Sequence, residues 1–255
     1  LGGQAIEPPQ DVALGGRETI RDVARNLERW VAGAVVRTFA QARLEEFADA
    51  APALHVVNAL TNEEHPCQAL ADCLTLLERW GSLQGRTIAF VGDGNNVATS
   101  LAQAGVMLGA CVRIVSPPGF EPSEPVRDGI RRLAASGGGL EVLSDPAAGV
   151  RGADAVYTDV WTSMGQEDES EIRKLAFDGY QVDAALMAAA GPDAVFMHCL
   201  PAHRGEEVAA EVIDGPSSLV WMQAANRMHS VRSLLASLDV RPAAPGGRHR
   251  TSEGR

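Results

Sequence analysis

Lysine is almost missing from this sequence. Lys174 is the single lysine among 22 cationic residues, and arginine supplies the rest. The 33 acidic residues bring the formal net charge to −11, which argues against a nucleic acid or an anionic membrane as partner. The guanidinium group is planar and binds phosphate or carboxylate through two N–H groups. A few arginines gathered in a cleft could therefore still bind a small anion.

Paired cysteines and long apolar runs are also missing. The four cysteines are scattered, so no disulfide framework is expected and a reducing, cytoplasmic location is predicted. No apolar run approaches the length that crosses a membrane, and the first ten residues lack the basic and apolar regions of a signal peptide. The cysteines are Cys67, Cys73, Cys111 and Cys199.

What the sequence does contain is a repeated alternation of short β-branched runs with helical patterns. This alternation predicts an α/β fold with parallel sheets. Pro66 in a first turn and Gly81 as a stop predict one helix over Pro66–Trp80, joining two lobes. The predicted lobes are residues 1–66, completed by a helix at about 223–238, and residues 67–222. Residues 239–255, rich in Pro, Gly and Arg, are predicted to be a disordered tail.

Polar or ionisable residues follow the apolar runs at five places in the two lobes. In open parallel sheets, ligands bind beyond the carboxyl ends of the strands. The pattern therefore predicts a cleft between the lobes. The residues concerned are Arg37, Asn58, the "GDGNN" turn from Gly92, Asp159, and the pair His198 and Cys199.

The residue types in this cleft indicate what it binds. Arg37 and Arg227 could bind an anion through paired N–H groups. Residues 65–68 open a helix, whose N-terminal dipole end favours a phosphate or a developing oxyanion. Asp159 could bind an ammonium group and Asn58 a carboxylate. The expected ligands are thus an anion on one lobe and a zwitterion on the other.

Each feature taken alone has a simpler interpretation. The "HPCQ" stretch could be a proline-initiated helix with an incidental histidine. Cys199 could be a buried small apolar residue, and Asp159 a turn cap. Arg37 and Arg227 could be surface ion-pair partners, and His203 is interpreted as a solvated loop residue.

Two further ligand hypotheses arise from the same residues. Zinc could be bound by His65, Cys67, His198 and Cys199, although zinc sites usually show tighter paired spacing. The run Gly92-x-Gly94-x-x-Val97 resembles a dinucleotide-binding turn, but its third position is valine. The next strand ends at Ser116 where an acidic ribose-binding residue would be needed. Both departures disfavour NAD binding.

Six motifs in sequence order resemble the aspartate/ornithine carbamoyltransferase family. The resemblance covers most of residues 1–238. The motifs are "VVRTF", "NALTNEEHPCQALAD", "FVGDGNNVATSL", "TDVWTSMGQE", "HCLPAHRGEEV" and "ANRMH".

The resemblance implies a set of ligand-binding residues. It implies carbamoyl phosphate bound by Arg37, His65, Gln68 and Arg227. It implies ornithine bound by Asn58, Asp159, Ser163, Met164, Cys199 and Leu200. It also implies that Cys199, Asp159 and His65 take part in catalysis, with the thiol acting neither as a metal ligand nor as a covalent nucleophile.

The resemblance further implies the reaction and the architecture. The carbamoyl group of carbamoyl phosphate would pass to the δ-amine of L-ornithine, giving L-citrulline and phosphate in arginine metabolism. The "SMG" loop, residues 163–165, goes with ornithine rather than aspartate in this family. Two Rossmann-like lobes, the first incomplete at its N-terminus, a homotrimer, and no cofactor or metal are expected.

Two departures from the family pattern leave an alternative open. A Ser-Thr-Arg-Thr-Arg loop that binds phosphate in the family is not found in the sequence, which is expected to be a fragment. Ala225 stands where the family usually has glutamate. The alternative is a non-catalytic, carbamoyltransferase-like protein that binds an amino acid. An NAD-linked oxidoreductase is a third, disfavoured hypothesis.

Overall fold

The computed structural model describes residues 2–7, 18–135, 137–162 and 167–238, and in these ranges strands alternate with helices. The strands are β1 Gly33–Arg37, β2 His55–Leu60, β3 Thr87–Val91, β4 Cys111–Val115, β5 Gly139–Leu143, β6 Ala155–Thr158 and β7 Val195–His198. The helices are α1 Ile20–Trp30, α2 Gln41–Ala50, α3 Pro66–Trp80, α4 Asn96–Met107, α5 Glu124–Leu133, α6 Pro146–Val150, α7 Ser170–Ala176, α8 Ala184–Ala190, α9 Ala210–Ile213 and α10 Val220–Leu238. A 3-10 turn, Glu167–Glu169, precedes α7.

The strands form two parallel sheets, which confirms the predicted α/β class. β1 and β2 pair in parallel, and α1 and α2 pack beside them around a small core that contains Leu44 and Phe47. The other five strands form one sheet in the order β5-β4-β3-β6-β7. The chain forms the central strand β3 first, adds β4 and β5 on one side of it, and then adds β6 and β7 on the other side. The carboxyl ends of β3 and β6 therefore form a topological switch point, where such sheets bind ligands.

Helix α3 connects the two sheets, and its ends follow from its sequence. Pro66 occupies the first turn, where a missing N–H costs nothing, and Gly81 ends the helix with φ 74° in the left-handed region. Leu76 packs into the core of the five-stranded sheet. On another face α10 packs along α3, and Asn226 Nδ2 donates to Thr75 Oγ1 at 3.1 Å. Helix α10 begins at Val220, three residues before the predicted Gln223.

In the part of the chain that the structure describes, each helix is too short or too polar to cross a bilayer.

A buried ion pair ties α7 to the turn after β3. Arg173 NH1 lies 2.6 Å from Asp93 Oδ2, and the two side chains are 8% and 13% exposed. The same guanidinium group donates to the Trp161 carbonyl oxygen at 3.0 Å. Burial raises the pKa of Asp93, and Arg173 opposes that rise. Arg173 thus stabilises both the charge of Asp93 and the backbone just after β6.

Replacing Arg173 with methionine is expected to lower the free energy of unfolding by about 3 kcal/mol, because a buried carboxylate loses its partner. Urea denaturation would measure the loss. Arg131→Met is the control, since Arg131 pairs with Glu124 and Asp128 on the surface and should cost under about 1 kcal/mol. Equal losses in the two variants would contradict the role given to Arg173.

Candidate active site

Four predicted residues from β1, α3 and α10 lie near one another. Arg37 is the last residue of β1, His65 is the N-cap of α3, Gln68 lies in its first turn, and Arg227 projects from α10. Arg227 NH1 donates to Gln68 Oε1 at 2.6 Å and lies 3.5 Å from His65 Nε2. We call these four residues the arginine group. Two guanidinium groups beside a helix N-terminus favour an anionic ligand.

The electrostatics of the arginine group keep His65 neutral. Burial, together with the nearby positive charges of Arg227 and Arg37, lowers the pKa of His65 to about 4. A neutral imidazole can donate one hydrogen bond to a carbonyl oxygen without adding a third positive charge. His65 is also fixed in place, because its backbone N–H donates to Ser100 Oγ of α4 at 2.8 Å.

The lowered pKa of His65 has a consequence for stability. In the unfolded chain the ring takes up a proton near pH 6.5, whereas the folded protein resists protonation down to about pH 4. Protons therefore favour unfolding in this window. We expect wild-type stability, measured against His65→Gln, to be constant above pH 6.5 and to fall by on the order of 1 kcal/mol as pH decreases toward 4. A difference that stays flat or rises on acidification in urea titrations would refute this expectation.

A second cluster lies at the carboxyl ends of β6 and β7. The Cys199 thiol donates to Asp159 Oδ1 at 3.0 Å, and Asn95 Nδ2 donates to Asp159 Oδ2 at 2.9 Å. We call Cys199 and Asp159 the thiol–carboxylate pair. Burial, followed by the charge of Asp159, raises the pKa of Cys199 well above its usual value. The sulfur is therefore a protonated hydrogen-bond donor rather than a reactive thiolate.

The four-residue zinc hypothesis does not fit this geometry. His65 and Cys67 belong to α3 and lie with the arginine group, where Cys67 Sγ donates to the Asn58 carbonyl oxygen. Among the described residues, His198 and Cys199 cluster instead with Asp159. His198 Nδ1 accepts from Leu200 N–H at 2.8 Å, and its Nε2 lies 3.3 Å from Glu207 Oε1. Both ring nitrogens of His198 thus lie beside groups of its own lobe, and His65 and Cys67 are not part of this cluster.

The turn after β3 does not fit a dinucleotide either. Asn95 Oδ1 accepts from Val97 N–H and Ala98 N–H, which are the helix-start donors that a pyrophosphate would use. Gly94 is packed closely, because a Cβ there would lie 2.5 Å from the Pro122 backbone nitrogen. The role of Asn95 was not predicted from the sequence. It caps α4 and at the same time holds the Asp159 carboxylate.

A buried set of hydrogen bonds connects the arginine group with the thiol–carboxylate pair. Asp72 Oδ1 accepts from Gln68 Nε2 at 2.8 Å and from Gln223 Nε2 at 2.6 Å, and Asp72 Oδ2 accepts from Tyr157 OH at 3.2 Å. Gln223 Oε1 accepts from the backbone N–H of His198 at 3.0 Å. The sequence analysis missed all three linking residues. The one usable signal was the Gln68–Asp72 spacing of four, which places both side chains on one helix face.

The remaining predicted residues are Asn58, Leu200, Ser163 and Met164, and the structure describes the positions of the first two. Asn58 lies inside β2 rather than after it, where it pairs with Val36 next to Arg37 and its carbonyl oxygen accepts from Cys67 Sγ of α3. Leu200 directly follows Cys199 with φ 60°, a strained backbone position for a leucine. Ser163 and Met164 lie outside the described residues.

The protein has an α/β fold with two parallel sheets. Its arginine group favours an anion, and its thiol–carboxylate pair favours an amine. This combination is typical of α/β proteins that bind two different small molecules. Family models agree with this class. "Aspartate/ornithine carbamoyltransferase, carbamoyl-P binding domain" matches residues 1–78, and "Aspartate/ornithine carbamoyltransferase, Asp/Orn binding domain" matches residues 84–238. The chain belongs to the aspartate/ornithine carbamoyltransferase family.

Individual relatives support the same family. The ornithine carbamoyltransferase of Parasynechococcus marenigrum is 52% identical over 239 residues, which are 93% of this chain and 75% of that protein. The ornithine carbamoyltransferase of Symbiobacterium thermophilum is 51% identical over 92% of this chain and 76% of its own length. The solved ornithine carbamoyltransferase from Pyrococcus furiosus superposes with a TM-score of 0.85 at 49% identity, covering 89% of this chain and 72% of that one. The resemblance seen in the motifs and the Rossmann-like fold are confirmed.

Proposed function

We propose that this protein transfers the carbamoyl group of carbamoyl phosphate to the δ-amine of L-ornithine, giving L-citrulline and phosphate. The family assignment and relatives named ornithine carbamoyltransferase support this proposal. The single observation that carries it is the buried connection between the arginine group and the thiol–carboxylate pair. This connection holds an anion site and an amine-type site in a fixed relation, as a direct transfer between two bound substrates requires.

The chemistry is a nucleophilic acyl transfer. The neutral δ-nitrogen attacks the carbamoyl carbon, a C–N bond forms, and the bond between that carbon and the bridging oxygen breaks. The electron pair leaves with phosphate, and the proton lost by the amine ends on the phosphate product. The arginine group stabilises the negative charge that develops on the carbonyl oxygen and on the departing phosphate. No covalent enzyme intermediate is needed, which agrees with the protonated state of Cys199.

On the carbamoyl-phosphate side, we assign the phosphate to Arg37 and Arg227 and the carbonyl oxygen to the neutral His65. Gln68 presents its Oε1 to Arg227 and so fixes the direction of that guanidinium group. These assignments rest on the proximity of the four side chains and on the lowered pKa of His65.

On the amino-acid side, we assign the δ-amine to Asp159, Cys199 and the backbone of Leu200. Asp159 accepts hydrogen bonds on both carboxylate oxygens, so it is held firmly while its charge attracts the ammonium form of the incoming amine. We propose that Asn58, Ser163 and Met164 bind the α-amino-acid end of ornithine. The family motifs that contain these three residues support this last assignment.

The finer organisation of the protein is also a proposal. We propose that residues 1–66, completed by the helix at 223–238, bind carbamoyl phosphate, and that residues 67–222 bind ornithine. The packing of α10 along α3 supports this division. A homotrimer, supported by the exposed apolar side chains of Trp30, Val35 and Phe39 on the first lobe, is testable by light scattering. The four free cysteines support a reducing, cytoplasmic location, and the relatives named ornithine carbamoyltransferase support a role in arginine biosynthesis.

The proposed function is tested with the protein as produced from its own gene. Citrulline formation is measured with carbamoyl phosphate and ornithine, and with aspartate, putrescine and N-acetylornithine in place of ornithine. We expect citrulline to require both substrates and the other acceptors to be poor. Transfer to another acceptor in preference to ornithine, or no transfer to any acceptor, would overturn the proposal.

The non-catalytic alternative is not favoured, because the carbamoyl-phosphate domain model matches residues 1–78. Calorimetry separates the two. A binding protein would take up ornithine without carbamoyl phosphate, whereas a transferase of the proposed kind needs the anion in place first.

A further inference from the structure

Asp72 is a fully buried acidic residue that belongs to neither proposed ligand set. It lies on α3, one turn after Gln68, and its side chain is 0% exposed. Placing a carboxyl group there is costly unless hydrogen bonds compensate. An apolar residue would pack α3 against its neighbours at lower cost. The carboxyl group therefore calls for an explanation other than packing.

The first set of contacts fixes the amide of Gln68. Its Nε2 donates to Asp72 Oδ1, and its Oε1 accepts from Arg227 NH1. If the amide were rotated by half a turn, its oxygen would face the Asp72 carboxyl oxygen and its NH2 group would face the Arg227 donor. Both contacts would then be repulsive. Asp72 thus decides which end of the Gln68 amide points toward the arginine group.

The second set of contacts fixes the segment that carries Cys199. Gln223 Nε2 donates to Asp72 Oδ1, and its Oε1 accepts from the backbone N–H of His198, the last residue of β7. Tyr157 OH donates to Asp72 Oδ2 at 3.2 Å, accepts from Gln223 Nε2 at 3.0 Å, and lies near Cys199. One carboxyl group therefore contacts the partners of both halves of the site.

We propose that Asp72 is a positioning residue for the transfer reaction, orienting Gln68 toward bound carbamoyl phosphate while holding the Cys199 segment through Gln223 and Tyr157. The proposal rests on the proposed function, because it assigns Gln68 and Cys199 to the two substrates. Asp72 itself touches neither substrate. It acts as a buried hydrogen-bond acceptor that both substrate-binding clusters share.

The kinetic test compares Asp72→Ala with Asp72→Asn. Alanine removes the acceptor, so we expect kcat/KM for carbamoyl phosphate to fall about 100-fold, with both a higher KM and a lower kcat. Asparagine can keep an oxygen toward Gln68 and Gln223 and donate its NH2 group to Tyr157 OH. It should therefore retain activity within about 5-fold of wild type. An Asp72→Asn variant as impaired as Asp72→Ala would overturn the proposal.

Thr75→Val is the matched control for a purely structural effect. Thr75 is also fully buried on α3. Its hydroxyl group donates to the Ala71 carbonyl oxygen and accepts from Asn226 of α10, and neither of these hydrogen bonds involves Gln68 or Gln223. We expect Thr75→Val to lose stability while both KM values stay within about 3-fold of wild type. If Asp72→Ala changed the kinetics no more than Thr75→Val does, Asp72 would be structural only.

Two further variants separate the two sets of contacts and remain informative if Asp72→Ala fails to fold. Gln223→Leu removes the link to β7 but leaves Gln68 bonded to Asp72. It should lower kcat about 10-fold with little change in KM for carbamoyl phosphate. In a Gln68→Ala background, Asp72→Asn and wild-type Asp72 should give the same KM for carbamoyl phosphate. A large rise of that KM in Gln223→Leu would contradict the separation.

A substrate-free measurement distinguishes failure of this proposal from failure of the proposed function. The side-chain NH2 protons of Gln68, assigned by their loss in Gln68→Ala, should exchange slowly with water in wild type and in Asp72→Asn. Fast exchange in wild type would overturn the positioning role even if citrulline is formed. Slow exchange without citrulline formation by the wild-type protein would uphold the positioning of Gln68 while refuting the transfer reaction.

Discussion

Replacing Arg227 with methionine is expected to lower kcat/KM for carbamoyl phosphate about 1,000-fold, the loss typical of removing a charged, hydrogen-bonded partner from a partly buried site. Three effects combine. The ligand loses a guanidinium group, and Gln68 Oε1 loses the donor that lies 2.6 Å away. The charge that helps to keep His65 neutral is lost as well. Methionine retains most of the apolar stem, so packing of α10 against α3 should change little.

Steady-state kinetics at varied carbamoyl phosphate, with ornithine held at saturation, would measure this effect. Arg232→Met is the matched control, because Arg232 is an exposed arginine on the same helix. We expect this control to stay within about 2-fold of wild type. If Arg227→Met left kcat/KM within the range of the control, carbamoyl phosphate would have to bind elsewhere.

Asp159→Asn is the second substitution with a large expected effect, directed at the amino-acid side. The present carboxylate accepts from the Cys199 thiol and from Asn95 Nδ2. Asn95 cannot turn its own amide to suit the variant, because its oxygen already caps α4. The new NH2 group must therefore face Cys199, leaving the thiol proton without its acceptor and the substrate ammonium without its counter-charge. We expect kcat/KM for ornithine to fall about 1,000-fold.

Asp154→Asn is the control for this variant. Asp154 lies next to the other end of β6 and pairs with Arg86 at 2.6 Å. Its loss should affect stability, while kcat/KM for ornithine should stay within about 3-fold of wild type. Near-normal kinetics in Asp159→Asn would place the amine elsewhere in the site, and equal losses in both variants would indicate general damage to β6.

Local sequence patterns were sufficient to predict the framework of the fold. The β-branched runs around Val36 and Phe90 are strands, and Pro66 and Gly81 bound α3 as expected. These features depend on backbone preferences that neighbouring residues set. The grouping of Arg37, His65, Gln68 and Arg227 was anticipated through the family motifs, and the structure brings these side chains together.

The connection between the two clusters could not be predicted in the same way. Asp72, Tyr157 and Gln223 are separated in sequence by 85 and 66 residues, and each has an ordinary local context. These three side chains meet because α3 and α10 pack against each other and against the five-stranded sheet. Such tertiary packing cannot be inferred from the spacing of apolar residues along the sequence. The position of Asn58 inside β2 shows a related limit, because strand ends are set by partner strands as much as by sequence.

Citrulline formation tests the central claim most directly. The measurement follows carbon-labelled carbamoyl phosphate into product, using the protein as produced from its own gene, with and without L-ornithine. We expect labelled citrulline and phosphate in equal amounts, only when ornithine is present, and little label in product with Arg227→Met or Asp159→Asn. Labelled product that forms equally well in those two variants, or an absence of labelled citrulline from the wild-type protein, would contradict the transfer reaction proposed for this site.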